Sequence, residues 1–468
     1  MKQVIIGDKK MAKYLKTILM CIIAAALVLT MFIGLTFADE TISGDGAALK
    51  GTIKVGHLLD LNGEGKLTGD IAHEAFTFAC DYVEKTTGWK IEVVEGDCQS
   101  DGTTAANQAE QLISQGCQVI FGPTQTGHKK AVLAYVADNN IPVVLYNGSL
   151  GAFTGGFLFG NDMIVAEGGG IAGFPTVMAD YIYNVLGYRT VICFKQDTVN
   201  GYNYVDPFIT CFQGMGGTVI DNFAIARRTD DWSEYLAAMI NSDAEAIVGW
   251  TSSSDAVAFF KAWYNSGAYE KIPVFAAAHD GFSDSYIMDE LDSKIVDALI
   301  DKGFCAPINY AYSIDNDYNN SYVAAYTDAV GHRPIGSNLA GSCCQALLCF
   351  TTALDNLGVT DPTTLSAADL AAAMRAAEFD GPEGHTVFEN GTVVAKKSVY
   401  VANVVRLDDG SCNYEIQMTY EQVPSDGYNY DAMNDAYIGT SPEIIAAGWQ
   451  KIEGTWYYFK DSWEMETG

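Results

Sequence analysis

Between Thr52 and Ser149 one hydropathy phrase occurs four times: a short apolar run, a small polar loop, then a stretch with helical spacing. The runs are TIKVGHLLDL (52–61), KIEVVEG (90–96), QVIFG (118–122) and PVVLYN (142–147). Continuous apolar runs of this length between helices predict buried parallel strands in βαβ units. Right-handed crossovers put every strand's carboxyl end on one edge, where ligands of open α/β sheets bind. A second series predicts strands at 190–194, 217–223, 246–250 and 272–276, separated by helices at 165–186, 202–213, 232–241 and 254–266. Helical spacing returns at 337–357 and 366–376, where Ser366 with Asp369 marks a helix cap. The stretches 386–388, 397–407 and 414–420 read as β. Residues 421–447 are rich in Pro, Ser, Asp, Asn and Tyr and read as a linker. The expected fold class is α/β, with two doubly wound parallel-sheet lobes and a small C-terminal β-hairpin tail.

Length agrees with that layout, since 468 residues suit two large lobes rather than one small core. Lys9, Lys10, Lys13 and Lys16 precede an apolar stretch at 18–35 and a small-x-small site at 36–38. This is the pattern of a signal peptide over 1–38, cleaved or kept as an anchor, and it implies an exported protein that is extracellular, at the cell surface or periplasmic. No later segment is long and apolar enough to cross a bilayer. The formal charge is −31, and removing 1–38, with five Lys and one Asp, makes it −31 − 4 = −35. No net positive field exists to draw nucleic acid, so none is expected as a partner. Ten Cys remain after residue 38, without zinc-type spacing, and at most one or two disulfides are expected. Cys343, Cys344 and Cys349 lie in an apolar helical stretch and read as small hydrophobes.

Motifs of catalysis and metal binding are missing. The six His show no HExxH or paired ligand spacing, and there is no GxSxG elbow or P-loop. The stretch from Asp60 to Gly65 imitates the start of a calcium loop, but the twelfth position is Ile71, where a bidentate Glu is needed. Asp315, Asp317 and Asn319 alternate and read as a solvated loop. No catalytic residue, no metal and no cofactor are expected.

The residues HLLDLNG…TGDIAHEAFTFACDYV, EVVEGDCQSD, AANQAEQLI, QVIFGPTQTG and IPVVLYN, with DTVNGYNYVDPF, AIVGW, AAHDGFSD and GPEGHTVFENG, follow one order and spacing. That order resembles the type I periplasmic binding proteins, the branched-chain amino acid and amide/urea-binding group of ABC transporters, over roughly 51–420. The resemblance implies two lobes joined by a three-strand hinge: 51–155 with 279–380, and 156–278 with 381–420. It implies ligand contacts at Thr126, whose hydroxyl lies at a helix start, and at Tyr146 and Ser149 in the next strand's loop. Asp280 matches the acid that receives a ligand ammonium, and a buried ammonium needs such a partner. Trp250 matches an aromatic over the ligand. Thr68 and Asn200 stand where branched-chain binders often carry aromatics, which favours a polar amino acid or an amide-like solute over an aliphatic one.

The tail GWQKIEGTWYYFKDSWEMETG (448–468) resembles one choline-binding or glucan-binding cell-wall repeat, with Trp449, Trp456, Tyr457 and Tyr458 as the matching aromatics. Aromatic faces attract quaternary ammonium, but one copy presents half a cage. A weak wall contact or a packing role is expected. The implied function is the extracytoplasmic solute-binding subunit of an ABC importer, whose lobes close on a small ligand and deliver it to a membrane permease. The alternative is a sensor that signals occupancy to a membrane receptor.

Overall fold

The computed structural model describes residues 47–147, 162–168, 173–279, 281–359, 361–388 and 393–424, with strand backbones at 448–452, 455–459 and 465–466. The signal segment, most of the predicted linker, Ser149 and Asp280 lie outside the described residues.

The four repeated phrases form the predicted units. They are β1 (Gly51–Leu59), α1 (Lys66–Thr87), β2 (Trp89–Asp97), α2 (Gly102–Ser114), β3 (Ile120–Phe121), α3 (Thr126–Asn139) and β4 (Val143–Val144). A fifth strand, β5 (Ile164–Val165), completes a parallel sheet of order β2-β1-β3-β4-β5. The predicted helix at 165–186 therefore begins too early. The apolar pair Ile164–Val165 is taken by the sheet, and regular helix runs over α4 (Gly173–Asp180) before a π-helical turn at Tyr181–Val185.

The second series gives β6 (Thr190–Gln196), α5 (Val199–Gly214), β7 (Thr218–Ile225), α6 (Ser233–Ile240), β8 (Ala246–Trp250), α7 (Ser253–Asn265) and β9 (Val274–Ala276). These strands form a parallel sheet of order β7-β6-β8-β9. Residues beyond β9 hold elements that the hydropathy pattern did not predict, among them α8 (Ser285–Asp289), α9 (Ser293–Asp301), β10 (Cys305–Ile308) and α10 (Asp317–Val330). The solvated loop expected around Asp317 and Asn319 is the start of α10. Asn316 caps it by accepting from the Asn319 N–H at 2.7 Å, and the buried Asn319 amide donates to Tyr312 and Ile314 carbonyls at 3.1 and 2.9 Å.

Helix α11 (Leu339–Leu357) is buried over almost its whole surface and packs on α1. It is followed by α12 (Ala367–Arg375), β11 (Glu378–Gly381), β12 (Gly384–Phe388), β13 (Ala395–Arg406) and β14 (Cys412–Val423), with β10 to β14 in a third, antiparallel sheet. Strand β14 takes in the first three residues of the predicted linker. Cys343, Cys344 and Cys349 are core residues, as expected, and the described cysteines are all free thiols. The tail forms the expected antiparallel hairpin, β15 (Gly448–Ile452) with β16 (Thr455–Phe459), and a short strand β17 (Met465–Glu466) pairs with β16.

Where the chain leaves the first sheet, Ala166 pairs in parallel with Val394, and the Ala166 N–H donates to Val393 O at 2.7 Å. This crossing holds a buried charge cluster. Lys397 Nζ lies 2.8 Å from Glu167 Oε1 and also meets Glu383, and Ser342 donates to Glu383 at 2.5 Å. Two carboxyls face one ammonium in a dry site, so one carboxyl is favoured neutral. Burial pushes Glu167 up to about 7, against the pull of Lys397 and with the push of Glu383. The two glutamates hold Lys397 up to about 12 despite its burial.

Candidate functional site

A cavity of about 130 Å³ lies where the carboxyl ends of both parallel sheets converge. From the first sheet come Thr124 and Gln125 after β3, Asn147 after β4, and Thr68 in the first turn of α1. From the second come Asn200 in the first turn of α5, and Trp250 and Ser252 at the end of β8. Gly281 and Asp284, after β9, and Ser337 beside the start of α11 close the ring.

Thr68 and Asn200 reach this place by one device used twice. A Cβ on Gly69 would lie 1.8 Å from Asp60 O, and one on Gly201 would lie 2.0 Å from Gln196 O. Only glycine lets each helix approach the end of its preceding strand so closely. The residue before each glycine is thereby brought to the cavity.

Three helices begin at the cavity. Gln125 is the N-cap of α3, Ser252 that of α7 and Asn338 that of α11, and none closes its helix with a side-chain hydrogen bond. Asn338 instead accepts from the Asn309 N–H at 2.9 Å. First-turn N–H groups have no partner within the helix, and the dipole adds positive character, so converging helix starts suit an anionic group.

Acid is supplied by Asp284, buried at 5% exposure. Its Oδ2 accepts from the Gly281 N–H at 2.7 Å and its Oδ1 lies 3.0 Å from His279 Nε2. Burial alone would raise its pKa. The His279 ring and the Gly281 N–H outweigh burial and lower it, so the carboxylate stays ionised. His279 is held in turn by Ser283, with Nδ1 2.9 Å from Oγ. Tyr204 and Trp250 supply the apolar wall, their rings 5.2 Å apart.

Of the residues singled out from the sequence, Thr68, Asn200 and Trp250 line the cavity together. Thr126 is the first residue of α3, one position past the lining residue Gln125; its side chain lies outside the described residues. Tyr146 does not reach the lining. It is buried in the core, with its hydroxyl 2.6 Å from His57 Nε2 and its ring beside Phe76. Burial lowers the His57 pKa against the pull of Glu95, so that ring is a neutral packing partner. The strand's next residue, Asn147, takes the cavity position. Gln125, Asn147, Ser252 and Asp284 were missed. Ser252 carries an N-cap signal before an apolar helix, whereas nothing local marks Asp284. In the tail, register places Trp449 opposite Tyr458 and Lys451 opposite Trp456.

Residues 52–411 match the family described as periplasmic binding protein. The chain belongs to the periplasmic binding protein family. A curated relative, Leu/Ile/Val-binding protein homolog 6 of Brucella suis, is 23% identical over 382 residues, covering 80% of this chain and 93% of its own length. Among solved structures, an ABC transporter substrate-binding protein from Sphaerobacter thermophilus superposes with a TM-score of 0.70 at 22% identity, over 80% of this chain and 99% of that one. A Rhodopseudomonas palustris solute-binding protein in complex with 3,4-dihydroxybenzoic acid gives a TM-score of 0.68 at 20% identity, over 80% and 98%. A branched-chain amino acid transporter binding protein of Streptococcus pneumoniae in complex with isoleucine gives 0.63 at 17% identity, over 79% and 99%. The fold of this binding protein is therefore the type I periplasmic-binding fold. Its relatives are binding proteins, and it is a binding protein rather than an enzyme. A short match to a cell wall binding repeat covers residues 447–462.

Proposed function

We propose that this binding protein is the extracytoplasmic solute-binding subunit of an ABC importer, taking a small polar solute that bears a carboxylate, an amino acid or an amide-like relative. The observation that carries the reading is the cavity at which three helix starts and one ionised, buried acid, Asp284, converge. A ligand carboxylate meets the helix starts beside Thr68, Gln125 and Ser252. A ligand ammonium or amide faces Asp284, and Asp280, by its match to the family pattern alone, serves the same ammonium. Thr126 and Ser149 join the first-lobe anion contacts, and Trp250 packs on the ligand body.

The lobes are 51 to about 168 with 279–380, and about 173–278 with 381–420. This extends the boundary expected at 155, because β5 pairs with β4. The ligand bridges the lobes and shifts a hinge equilibrium toward the closed form, which docks a permease. Export by the 1–38 segment and weak wall contact through the aromatic tail complete the reading. Fractionation of cells producing full-length and tail-deleted chains tests that contact, and equal release into the medium removes it.

Thermal unfolding against amino acids, amides and hydroxybenzoates tests the ligand class. A true ligand at about a hundred times its Kd adds roughly 2.7 kcal/mol, a shift of a few degrees. Asp284→Asn and Asp280→Ala should each remove the shift for an ammonium-bearing ligand. A flat amino-acid and amide panel after stripping of co-purified ligand overturns the reading, and a response to hydroxybenzoates alone moves it to aromatic acids.

A further inference from the structure

Beside the ligand cavity, and separate from its lining, the ends of three segments bring Asp60, Cys98 and His128 together. All three are buried, at 0%, 0% and 8% exposure. One donor atom from each lies within 4.8 Å of the others. Asp60 follows β1, Cys98 follows β2 and His128 is in the first turn of α3. Sequence spacing hides the group, because the residues are far apart and share no motif.

Two of these donors have nothing else to do. Asp60 Oδ1 accepts from the Ser100 N–H at 2.6 Å, but its Oδ2 and His128 Nδ1 make no hydrogen bond, although both are buried. They stand 3.6 Å apart, beyond hydrogen-bond range. That spacing suits two ligands of one ion. Zinc takes histidine nitrogen and carboxylate oxygen at about 2.0–2.2 Å, so adjacent tetrahedral ligands are about 3.4 Å apart. The Cys98 thiol makes one contact, 4.0 Å from Gly96 O, and is the third donor.

We infer that Asp60, Cys98 and His128 form a zinc site with one tetrahedral position left for water. Sulfur, nitrogen and oxygen donors in one tetrahedral group select zinc over calcium or magnesium, which take oxygen alone. Binding exchanges the thiol proton for the metal, so the proton leaves to solvent. The ion would tie Asp60, against whose backbone the start of α1 packs at Gly69, to the first turn of α3. Thr68 precedes that glycine and Gln125 is the N-cap of α3, so the site stiffens the first sheet's ligand-facing edge. The inference stands independently of the ligand class proposed above.

The test uses the full chain, reduced and stripped with a chelator, then titrated with cobalt(II), whose thiolate complex absorbs in the near ultraviolet. One equivalent per chain should bind with that absorption, and zinc should displace it. Cys98→Ser should abolish the absorption while the thermal transition is retained. His128→Gln and Asp60→Asn should weaken zinc binding at least tenfold in equilibrium dialysis. Folded wild-type protein without the absorption overturns the site, and so does an absorption unchanged in Cys98→Ser, which would assign it to another thiol. If Asp60→Asn fails to fold, Cys98→Ser and Cys98→Ala still decide, because zinc should raise the melting temperature of the wild type and of neither variant.

Discussion

At the scale of the residue, Gly201 and Glu167 show two ways in which a single position governs the whole. A Cβ at Gly201 would meet Gln196 O at 2.0 Å, a backbone atom that cannot swing aside. Gly201→Ala must push α5 off the end of β6. It should cost about 1–3 kcal/mol, read as a lower urea midpoint at unchanged m, and it should also weaken ligand binding by displacing Asn200. Glu167 is a matter of protons. Its ordinary pKa of 4.5 is pushed up to about 7 in the folded chain. Between those values the folded state holds more proton than the unfolded one, so stability falls as pH rises through that window. Lys397, raised from 10.5 to about 12, acts the same way but only above pH 10.5, and so keeps its full contribution at neutral pH. Glu167→Gln should flatten the slope between pH 4.5 and 7, a change on the order of 1–3 kcal/mol in urea unfolding measured at the two ends of the window.

Among the elements, helix starts matter most, and they divide into two kinds. Some are closed by their own cap. Ser366 Oγ accepts from the Asp369 N–H at 3.1 Å and donates to its carboxylate at 2.7 Å, so Ser366→Ala should cost about 1 kcal/mol in thermal or urea unfolding with no effect on ligand binding. Others, at α3, α7 and α11, are not closed by a cap side chain and begin at the cavity. The first kind is local chemistry and was legible as Ser-x-x-Asp. The second kind was half legible. The hydropathy pattern predicted the helices, but the meeting of the α3 and α7 starts at one place follows from two parallel sheets converging by their carboxyl ends. Helix α11, which follows no strand of either sheet, reaches that place only through tertiary packing. Strands β10 and β11 and helix α10 went unpredicted. The partner of β10 is β13, far from it in sequence, whereas β11 pairs with the neighbouring β12 and α10 is anchored locally through Asn316 and Asn319, short signals that the hydropathy pattern does not carry.

Over the whole molecule, the proposed closure would connect fold to function. Glu64, in the loop after β1, meets Arg228, after β7, at 3.0 Å and Arg227 at 3.8 Å. These contacts join the loop after β1 of the first sheet to the segment after β7 of the second. All three side chains are exposed, so the contribution is small and salt-sensitive. Glu64→Ala should raise the ligand Kd about two- to fivefold in dilute buffer, from the modest strength of exposed pairs, and titration calorimetry in high salt should erase the difference.

Period and punctuation along the chain determined the two βα series and the sheet edge at which the cavity lies, because strand period, helix period and turn residues are local properties. Thr68, Asn200 and Trp250, which line that cavity, were singled out by the resemblance to binding proteins and not by period. Tertiary structure alone decided that Tyr146 turns into the core while Asn147 faces the cavity, that Asp284 is held ionised by His279, and that Asp60, Cys98 and His128 meet. Each of those depends on which distant segment packs alongside, and burial, pKa and donor geometry exist only after that packing is made.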